Sequence, residues 1–411
     1  MSSRGVVIVG AGHGGVQAAA SLREDGYLEP ITLISNEREW PYQRPPLSKA
    51  FLKGEMDLSG LPLRGEPFYA DNAIDLQRGE AVLSVDRARK RVTLTNGGEV
   101  LYDHLILSTG ARNRMPKADG LERQGVHFLR TIADAAVIRA GLETAQRIVI
   151  VGAGFIGLEI AATARGLKKS TTIVEIAERP MGRAVSPQMS QFFRAAHEAF
   201  GAEFRFGVGL EAIDGPGNVV GEVALSDGSV LPADLVVVGV GILAEDRLAA
   251  AAGLACANGV VVDARLATSD SAISAIGDCA AFPNPFGDGL IRLESVQNAV
   301  DQARAVARRL AGRGAPYAAL PWFWSDQGDL KLQIAGLAIG VDEWVERGDS
   351  RSRAFSTVGF RAGKAIVVES VNRPADHMAA RRILGARLTM TPNEAVDPNF
   401  DLRKLALSAP R

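Results

Sequence analysis

One glycine-rich segment occurs twice in the sequence, 142 residues apart. The copies, Val7 to Gly15 and Val149 to Gly157, each place a run of apolar, mostly β-branched residues before a Gly-x-Gly-x-x-Gly turn. An alanine-rich helical pattern follows each turn. This order of strand, turn and helix is typical of sites that bind the pyrophosphate of a dinucleotide at a helix N-terminus. The repeat therefore predicts two dinucleotide sites on two similar domains.

Each glycine of the motif has its own physical task. The first permits the tight turn, the second lets the backbone approach the pyrophosphate, and the third lets the helix pack on the strand. The predicted binding residues of the first turn are Gly10, Gly12, Gly14 and Gly15. Those of the second turn are Gly152, Gly154, Phe155, Ile156 and Gly157.

An acidic residue ends the next strand of each unit, where a carboxylate can accept hydrogen bonds from ribose hydroxyls. Glu37 occupies this position in the first unit and Glu175 in the second. A solvated carboxylate at a strand end is the simpler alternative for both. Because Glu175 would repel a 2′-phosphate, the sequence favours NADH over NADPH. Arg183 lies nearby and could instead receive that phosphate, so NADPH stays open as the minor alternative.

Three further strand-like runs end in glycine turns, where an open α/β sheet keeps its ligands. They are Leu105–Leu107 before Ser108-Thr109-Gly110, Asp234–Val238 before Gly239-Val240-Gly241, and Ile273–Ile276 before Gly277-Asp278. From about Pro321 the pattern changes to alternating segments such as 331–335 and 365–368, which predict an α+β domain with antiparallel strands.

Composition excludes several classes of protein. A chain of 411 residues with 47% hydrophobic and 23% charged residues is neither disordered nor fibrous. The net charge of -1 gives no general attraction to nucleic acid or to anionic lipid. Cys256 and Cys279 are the only cysteines, so a disulfide framework and a zinc motif are excluded and a cytoplasmic location is favoured. The longest apolar stretches, such as Leu235–Ala244, are about half the length of a membrane-spanning helix.

Over essentially its whole length the sequence resembles the FAD-dependent, NADH-oxidising ferredoxin reductases, which include the reductase components of aromatic-ring dioxygenases. The segments that carry the resemblance, beyond the two turns, are Pro41–Lys49, Ser108–Arg112, Ala275–Asp278, Arg292–Ala299 and Pro321–Gln327. The resemblance implies an α/β fold with two Rossmann-like dinucleotide-binding domains of the glutathione-reductase type and a C-terminal α+β domain that covers the flavin. The implied domains are FAD-binding for residues 1–112 and 243–320, NADH-binding for 113–242, and C-terminal for 321–411.

The resemblance also implies three catalytic residues. Lys49 would lie beside the flavin N5 atom, paired with Glu159, because a cation there stabilises reduced, anionic flavin. Alternatively, Lys49 is a surface lysine and Glu159 a solvated helix residue. Trp324 would pack near the flavin and the nicotinamide, with domain packing as the alternative. Trp322 is expected on the opposite face of the segment, in the core.

The resemblance implies further cofactor contacts, and Val82 and Arg130 rest on it alone. For FAD they are Arg44, Pro45, Val82, Thr109, Gly110, Arg130, Gly277, Asp278, Glu294, Ser295 and Val296. For NADH they are Glu159, Glu175, Arg183 and Gly241. Asp278 would bind the sugar-alcohol chain of FAD or simply cap a helix. Val296 would direct its backbone N–H at the pyrimidine edge of the flavin or be an ordinary strand-to-helix junction.

The implied reaction is transfer of hydride from NADH to FAD and of single electrons to an acidic two-iron two-sulfur ferredoxin that feeds a haem monooxygenase or a ring-hydroxylating dioxygenase. Arg304 and Arg308 would dock this transient partner, with Arg309 and Arg313 extending the basic run, unless they form a solvated helix face. No nucleic-acid or membrane partner and no metal site are expected, and the protein would be a monomer or a weak homodimer. The alternatives are a reductase of rubredoxin, a quinone or another acceptor, and a flavin-based redox-sensing binding protein.

Overall fold

The computed structural model describes residues 4–409, which form two compact units. Unit 1 contains the chain up to Gln43, Leu58–Arg112 and Ile242–Pro321. Unit 2 contains Arg44–Asp57, Asn113–Gly241 and the chain from Trp322. The segment Arg44–Asp57 thus groups with unit 2, although it falls inside the range 1–112 that was assigned to the FAD domain. The division into domains of stated function stays a prediction.

Unit 1 is built on a parallel sheet with the strand order β19-β7-β1-β2-β3. Its strands are β1 (Val6–Val9), β2 (Ile31–Ser35), β3 (Ile74–Arg78), β7 (His104–Leu107) and β19 (Ile273–Ala275). Every residue of β1 is buried, as the continuous apolar run of a strand covered on both faces requires. Helix α1 (His13–Glu24) follows β1 and packs against α8 (Val296–Leu310).

The remaining elements of unit 1 form small sheets and short helices. The strands are β4 (Val82–Asp86), β5 (Arg91–Leu94), β6 (Glu99–Leu101), β8 (Ala111–Asn113), β17 (Ile242–Ala244), β18 (Val260–Val261), β20 (Ala280–Pro283) and β21 (Leu290–Ile291). They pair as β4-β5-β6, β17-β8 and β18-β20-β21. The helices are α3 (Pro67–Asp71), α7 (Arg247–Ala251) and the 3-10 turns Leu58–Gly60 and Gly277–Cys279.

The first part of unit 2 repeats the parallel architecture, with the strand order β12-β11-β10-β16-β9. The strands are β9 (Val126–Phe128), β10 (Arg147–Val151), β11 (Ser170–Glu175), β12 (Glu203–Phe206) and β16 (Leu235–Val238), with a separate antiparallel sheet of β13 (Leu210–Asp214), β14 (Glu222–Leu225) and β15 (Val230–Pro232). The helices are α2 (Ala50–Lys53), α4 (Ile132–Thr144), α5 (Phe155–Gly166), α6 (Pro187–Ala199) and the 3-10 turn Pro45–Ser48.

The second part of unit 2 is an antiparallel sheet with the order β22-β23-β26-β25-β24. Its strands are β22 (Trp322–Gln327), β23 (Leu330–Gly336), β24 (Glu343–Asp349), β25 (Ala354–Arg361) and β26 (Lys364–Val371). The helices are α9 (Pro374–Gly385), α10 (Pro392–Val396), α11 (Leu402–Leu407) and the 3-10 turn Ser350–Ser352. The predicted α/β fold, with two parallel-sheet dinucleotide folds and a C-terminal antiparallel domain, is confirmed.

Candidate active site

The first dinucleotide turn, between β1 and α1, has a geometry that only glycine allows. Gly10 has a φ of +102°, and a Cβ atom there would lie 2.2 Å from the carbonyl oxygen of Ser108. A Cβ at Gly15 would lie 1.9 Å from the carbonyl oxygen of Gly10. At Gly12, no atom of residues 4–409 other than those of Gly12 and its two chain neighbours lies within 4 Å of the Cβ position. The turn is tight at both ends and open at its middle glycine, where a pyrophosphate approaches the backbone.

The second turn, between β10 and α5, has the same geometry. Gly152 has a φ of +108°, and its Cβ position lies 2.3 Å from the carbonyl oxygen of Gly239. At Gly157 the corresponding distance to the carbonyl oxygen of Gly152 is 2.0 Å. At Gly154, as at Gly12, no atom of the described residues other than those of the glycine and its chain neighbours lies within 4 Å of the Cβ position. Three other predicted residues lie in the first turn of the following helices: Gly14, Phe155 and Ile156. Both turns therefore fit a dinucleotide.

The two acidic residues lie close to their turns. Glu175 ends β11, which pairs with β10, and its carboxylate accepts hydrogen bonds from the backbone N–H groups of Ala153 at 2.7 Å and Ala177 at 2.9 Å. These bonds fix a negative charge beside the second turn. Glu37 follows β2, and its carboxylate accepts a hydrogen bond from the hydroxyl of Tyr42. Each acid can receive a ribose hydroxyl with a remaining lone pair.

The ion pair between Lys49 and Glu159 is present in unit 2. Lys49 Nζ lies 2.7 Å from Glu159 Oε2, and it also donates to the carbonyl oxygen of Pro45 at 3.2 Å. Glu159 lies in α5, two residues beyond Gly157, and its side chain is only 4% exposed. A buried carboxylate is strongly disfavoured unless it is paired and hydrogen-bonded, so Glu159 is not a solvated helix residue.

Two serines that hold Glu159 had not been identified from the sequence. Ser48 Oγ donates to Glu159 Oε2 at 2.5 Å, and Ser325 Oγ donates to Glu159 Oε1 at 2.7 Å. Both serines are buried. Each belongs to a segment that carries the family resemblance, next to Lys49 in one case and to Trp324 in the other. This adjacency was the only signal in the sequence that could have identified them.

The expectation that Trp322 faces away from Trp324 is wrong. Their ring centroids are 5.7 Å apart, on one face of β22, because side chains two residues apart in a strand point to the same side. Phe323, between them, contacts Phe155 with a centroid distance of 4.5 Å. Trp322 is half-buried rather than part of the core, and the guanidinium of Arg381 lies 4.3 Å from its ring centroid.

Most of the predicted FAD residues of unit 1 meet at one edge of its main sheet. Strands β1, β7 and β19 are parallel neighbours, so the turns after them lie side by side. The predicted residues in these turns are Gly10, Gly12, Thr109, Gly110, Gly277 and Asp278. Thr109 Oγ1 donates to the carbonyl oxygen of Glu245 at 2.6 Å, and the Gly277 N–H donates to the side chain of Gln302 at 2.7 Å.

Three more predicted FAD residues surround the start of α8. Ser295 is its N-cap and accepts a hydrogen bond from the N–H of Asn298 at 3.1 Å, so Val296 is the first helical residue. Glu294 is exposed and pairs with Arg292 at 2.7 Å. Val82, the first residue of β4, is half-buried and belongs to a separate small sheet.

The remaining predicted cofactor residues lie in unit 2. Arg44 Nη1 donates to the carbonyl oxygen of Arg130 at 2.7 Å, which brings these two predicted FAD residues together. Pro45 opens the 3-10 turn that leads to Lys49. Gly241 follows β16, the neighbour of β10, and therefore lies at the same sheet edge as the second glycine turn. The guanidinium of Arg183 comes within 3.9 Å of the Cβ position of Gly241.

The basic residues of α8 do not form one continuous patch. Arg304 and Arg308 are exposed, and Arg304 pairs with Asp301 at 3.3 Å. Arg309 faces inward, where its guanidinium donates to the hydroxyl of Ser274. Arg313 pairs with Asp25 at 2.6 Å. Arg309 does not extend an exposed basic run, because the helical period directs it into the unit. Arg313 is 61% exposed, and its expected contribution to the basic run stays a prediction.

The two cysteines are both free and both lie in unit 1. Cys279 is completely buried, and burial raises the pKa of its thiol. Burial also raises the pKa of the half-buried Cys256. A raised pKa leaves little thiolate, the reactive form, so both act as small core residues. Among residues 4–409, no helix combines the length and the apolar character needed to cross a membrane.

Two family models match the chain. The model described as pyridine nucleotide-disulphide oxidoreductase covers residues 4–303, and the one described as reductase C-terminal covers residues 322–406. The chain belongs to the pyridine nucleotide-disulphide oxidoreductase family. Membership confirms the predictions of an FAD-dependent oxidoreductase and of NADH as its reductant.

Known members of the family match the chain over nearly its whole length. Rhodocoxin reductase of Rhodococcus erythropolis is 47% identical over 403 residues, which are 98% of this chain and 94% of the relative. The ferredoxin reductase for the CYP199A2 system from Rhodopseudomonas palustris is 48% identical, with a TM-score of 0.96 over 98% of this chain and 100% of that chain. The covalent putidaredoxin reductase-putidaredoxin complex matches with 36% identity and a TM-score of 0.96 over 100% and 99% of the two chains.

Proposed function

We propose that this protein is an NADH-dependent ferredoxin reductase that delivers electrons singly to a two-iron two-sulfur ferredoxin serving an oxygenase. The family supports an FAD-dependent oxidoreductase, and relatives named as rhodocoxin reductase and as a ferredoxin reductase support the acceptor class. FAD, when bound, accepts hydride from NADH and can release the two electrons one at a time.

The observation that carries the proposal is the ion pair between the half-buried Lys49 and the buried Glu159. Glu159 lies on the helix that begins at the second dinucleotide turn, and Lys49 reaches it from the segment before α2, so NADH bound there by its pyrophosphate is directed toward this helix N-terminus. Lys49 supplies a fixed positive charge that stabilises the negative charge of reduced flavin. Glu159 keeps that charge in place, with Ser48 and Ser325 fixing its carboxylate.

Electron transfer to an external acceptor is more consistent with this sequence than disulphide chemistry. A dithiol relay needs two cysteines within bonding distance of each other beside the flavin. Neither glycine turn is followed by a cysteine in its helix, and the two cysteines present have their pKa values raised by burial. The disulphide in the family name therefore does not describe the acceptor proposed for this member.

The cofactor and partner assignments complete the proposal. Glu175 selects NADH, and the open turns at Gly12 and Gly154 bind the two pyrophosphates. Arg304 and Arg308 contribute to docking of an acidic ferredoxin. We further propose a cytoplasmic protein, since both cysteines are free. Its proposed oligomeric state is a monomer or a weak homodimer.

The test is NADH-driven cytochrome c reduction by the purified flavoprotein, with and without an added two-iron two-sulfur ferredoxin. Strong dependence on ferredoxin is the expected result. Reduction that depends on rubredoxin or a quinone instead would replace the acceptor, and bleaching of the flavin without turnover on any acceptor would favour the redox-sensing alternative. The Lys49→Met variant tests the role of the ion pair separately from the choice of acceptor. Loss of the positive charge should slow reduction of the flavin by NADH about tenfold or more.

A further inference from the structure

Within unit 2, a chain of buried hydrogen bonds starts at Glu159. Ser325 Oγ donates to Glu159 Oε1 at 2.7 Å, and Gln327 Nε2 donates to Ser325 Oγ at 3.2 Å. The side-chain oxygen of Gln327 lies 2.9 Å from His197 Nε2. The chain thus connects β22 of the C-terminal sheet with α6 and with α5.

The chain is enclosed by protein. Ser325, Gln327 and His197 each have 0% of their surface exposed. His197 Nδ1 has no hydrogen-bond partner within residues 4–409, so the imidazole's single hydrogen bond is the one to Gln327. Burying polar groups in this way costs stability that an apolar core would not lose. The arrangement is therefore explained best by what it does for the carboxylate at its end.

The direction of every hydrogen bond follows from that carboxylate. A carboxylate only accepts, so the hydroxyl of Ser325 must donate to Glu159 and accept from Gln327. The amide of Gln327 then presents its oxygen to His197, which requires a hydrogen on His197 Nε2. Burial lowers the pKa of His197, which agrees with a neutral ring. One acceptor thus orders three other side chains on two elements, β22 and α6.

We propose that Ser325, Gln327 and His197 are positioning residues that hold the Glu159 carboxylate in the orientation that pairs with Lys49. This inference rests on the proposed function, in which that pair supports reduction of the flavin. Ser48 and Lys49 occupy Glu159 Oε2, while the chain occupies Oε1. With both oxygens held, the carboxylate has one orientation before NADH arrives, and such preorganisation is what electrostatic catalysis needs.

The experiment is anaerobic stopped-flow reduction of the FAD-loaded protein by NADH, compared among four variants. Ser325→Ala should lower the limiting rate of flavin reduction about tenfold, the cost of losing one hydrogen bond to a charged group, while the NADH dissociation constant changes less than about twofold. His197→Leu removes the first donor of the chain and should also lower the limiting rate of flavin reduction. His197→Gln places a donor near the Nε2 position and should recover most of it.

The matched control is Ser190→Ala. Ser190 lies on the same helix as His197, is equally buried, and donates to the carbonyl oxygen of Pro180 at 2.6 Å, outside the chain. If Ser325→Ala and Ser190→Ala have equal rates and equal losses of melting temperature, the chain is only structural and the inference is overturned. If NADH fails to reduce the flavin of the unmodified protein, the proposed function fails as well, which distinguishes the two failures. If His197→Leu does not fold, the flavin-reduction rates of Ser325→Ala and His197→Gln still test whether the chain positions Glu159.

Discussion

Glu175 has a structural role and, in our proposal, a selective one. Its two carboxylate oxygens accept hydrogen bonds from backbone N–H groups on both sides of the strand end, which keeps the carboxylate beside the second glycine turn. A negative charge held there repels a 2′-phosphate and accepts ribose hydroxyls. In our proposal, selectivity for NADH over NADPH comes from this fixed negative charge rather than from the size of the pocket.

The selectivity of Glu175 can be tested by substitution with glutamine. Glu175→Gln removes the repulsion and weakens the ribose contact, so the ratio of kcat/KM for NADH to that for NADPH should fall about tenfold or more. Steady-state kinetics with a saturating artificial acceptor measure this ratio. The control is Glu178→Gln, an exposed glutamate three residues further along, which should leave it unchanged. A constant ratio in Glu175→Gln would assign the discrimination to another residue.

At the scale of elements, local patterns predicted the bounds of several helices and strands. The strand-to-helix junction expected at Val296 is present, since Ser295 supplies the N-cap of the helix. The motif also fixed the turns around Gly10 and Gly152, because the close approaches there admit only glycine. Trp322 was predicted on the opposite face from Trp324, although residues two apart in a strand share a face, and the two rings do lie on one face.

The hydrogen bonds around Glu159 could not be predicted from local patterns. Its serine partners are 111 and 166 positions away in the sequence, and His197 is 130 positions from Gln327. Periodicity identifies the buried face of an element but not which polar side chain it meets on another element. The resemblance supplied Lys49 and Glu159 as a pair, whereas the residues that orient them required the tertiary structure.

The exposed face of α8 gives a prediction at the same scale. Replacing both Arg304 and Arg308 by glutamate should raise the KM for an acidic ferredoxin about tenfold at low salt, because docking loses complementary charge. Reduction of ferricyanide by NADH should not change. Arg194→Glu is a matched control, since Arg194 is 51% exposed and paired with Glu198 on its helix, as Arg304 is 50% exposed and paired with Asp301. If the KM for ferredoxin is unchanged in the Arg304→Glu, Arg308→Glu double variant, the docking surface lies elsewhere.

For the whole molecule, half-buried and buried histidines contribute to the response to mild acid. Four of the five histidines have lowered pKa values, with burial the largest cause: His104, His127, His197 and His377. Each binds a proton in the unfolded chain near its ordinary pKa of 6.5 but resists it when folded. The unfolded state therefore takes up more protons as the pH falls below 6.5, and the free energy of unfolding decreases.

His104 contributes most clearly to this response. Burial, with a smaller effect of the nearby Arg309 charge, lowers its pKa to about 3, and its Nε2 atom lies 2.9 Å from the hydroxyl of Ser274. Its contribution is complete above pH 6.5 and is lost progressively as the pH falls toward 3. His104→Gln keeps a polar group but cannot titrate. Urea unfolding of both proteins from pH 7.5 to 4.5 should give a pH slope that is shallower in the variant by up to about 1.4 kcal/mol per pH unit below 6.5. If the two plots of unfolding free energy against pH are parallel, the constant offset between them reflects lost packing. In that case His104 does not contribute to the acid response.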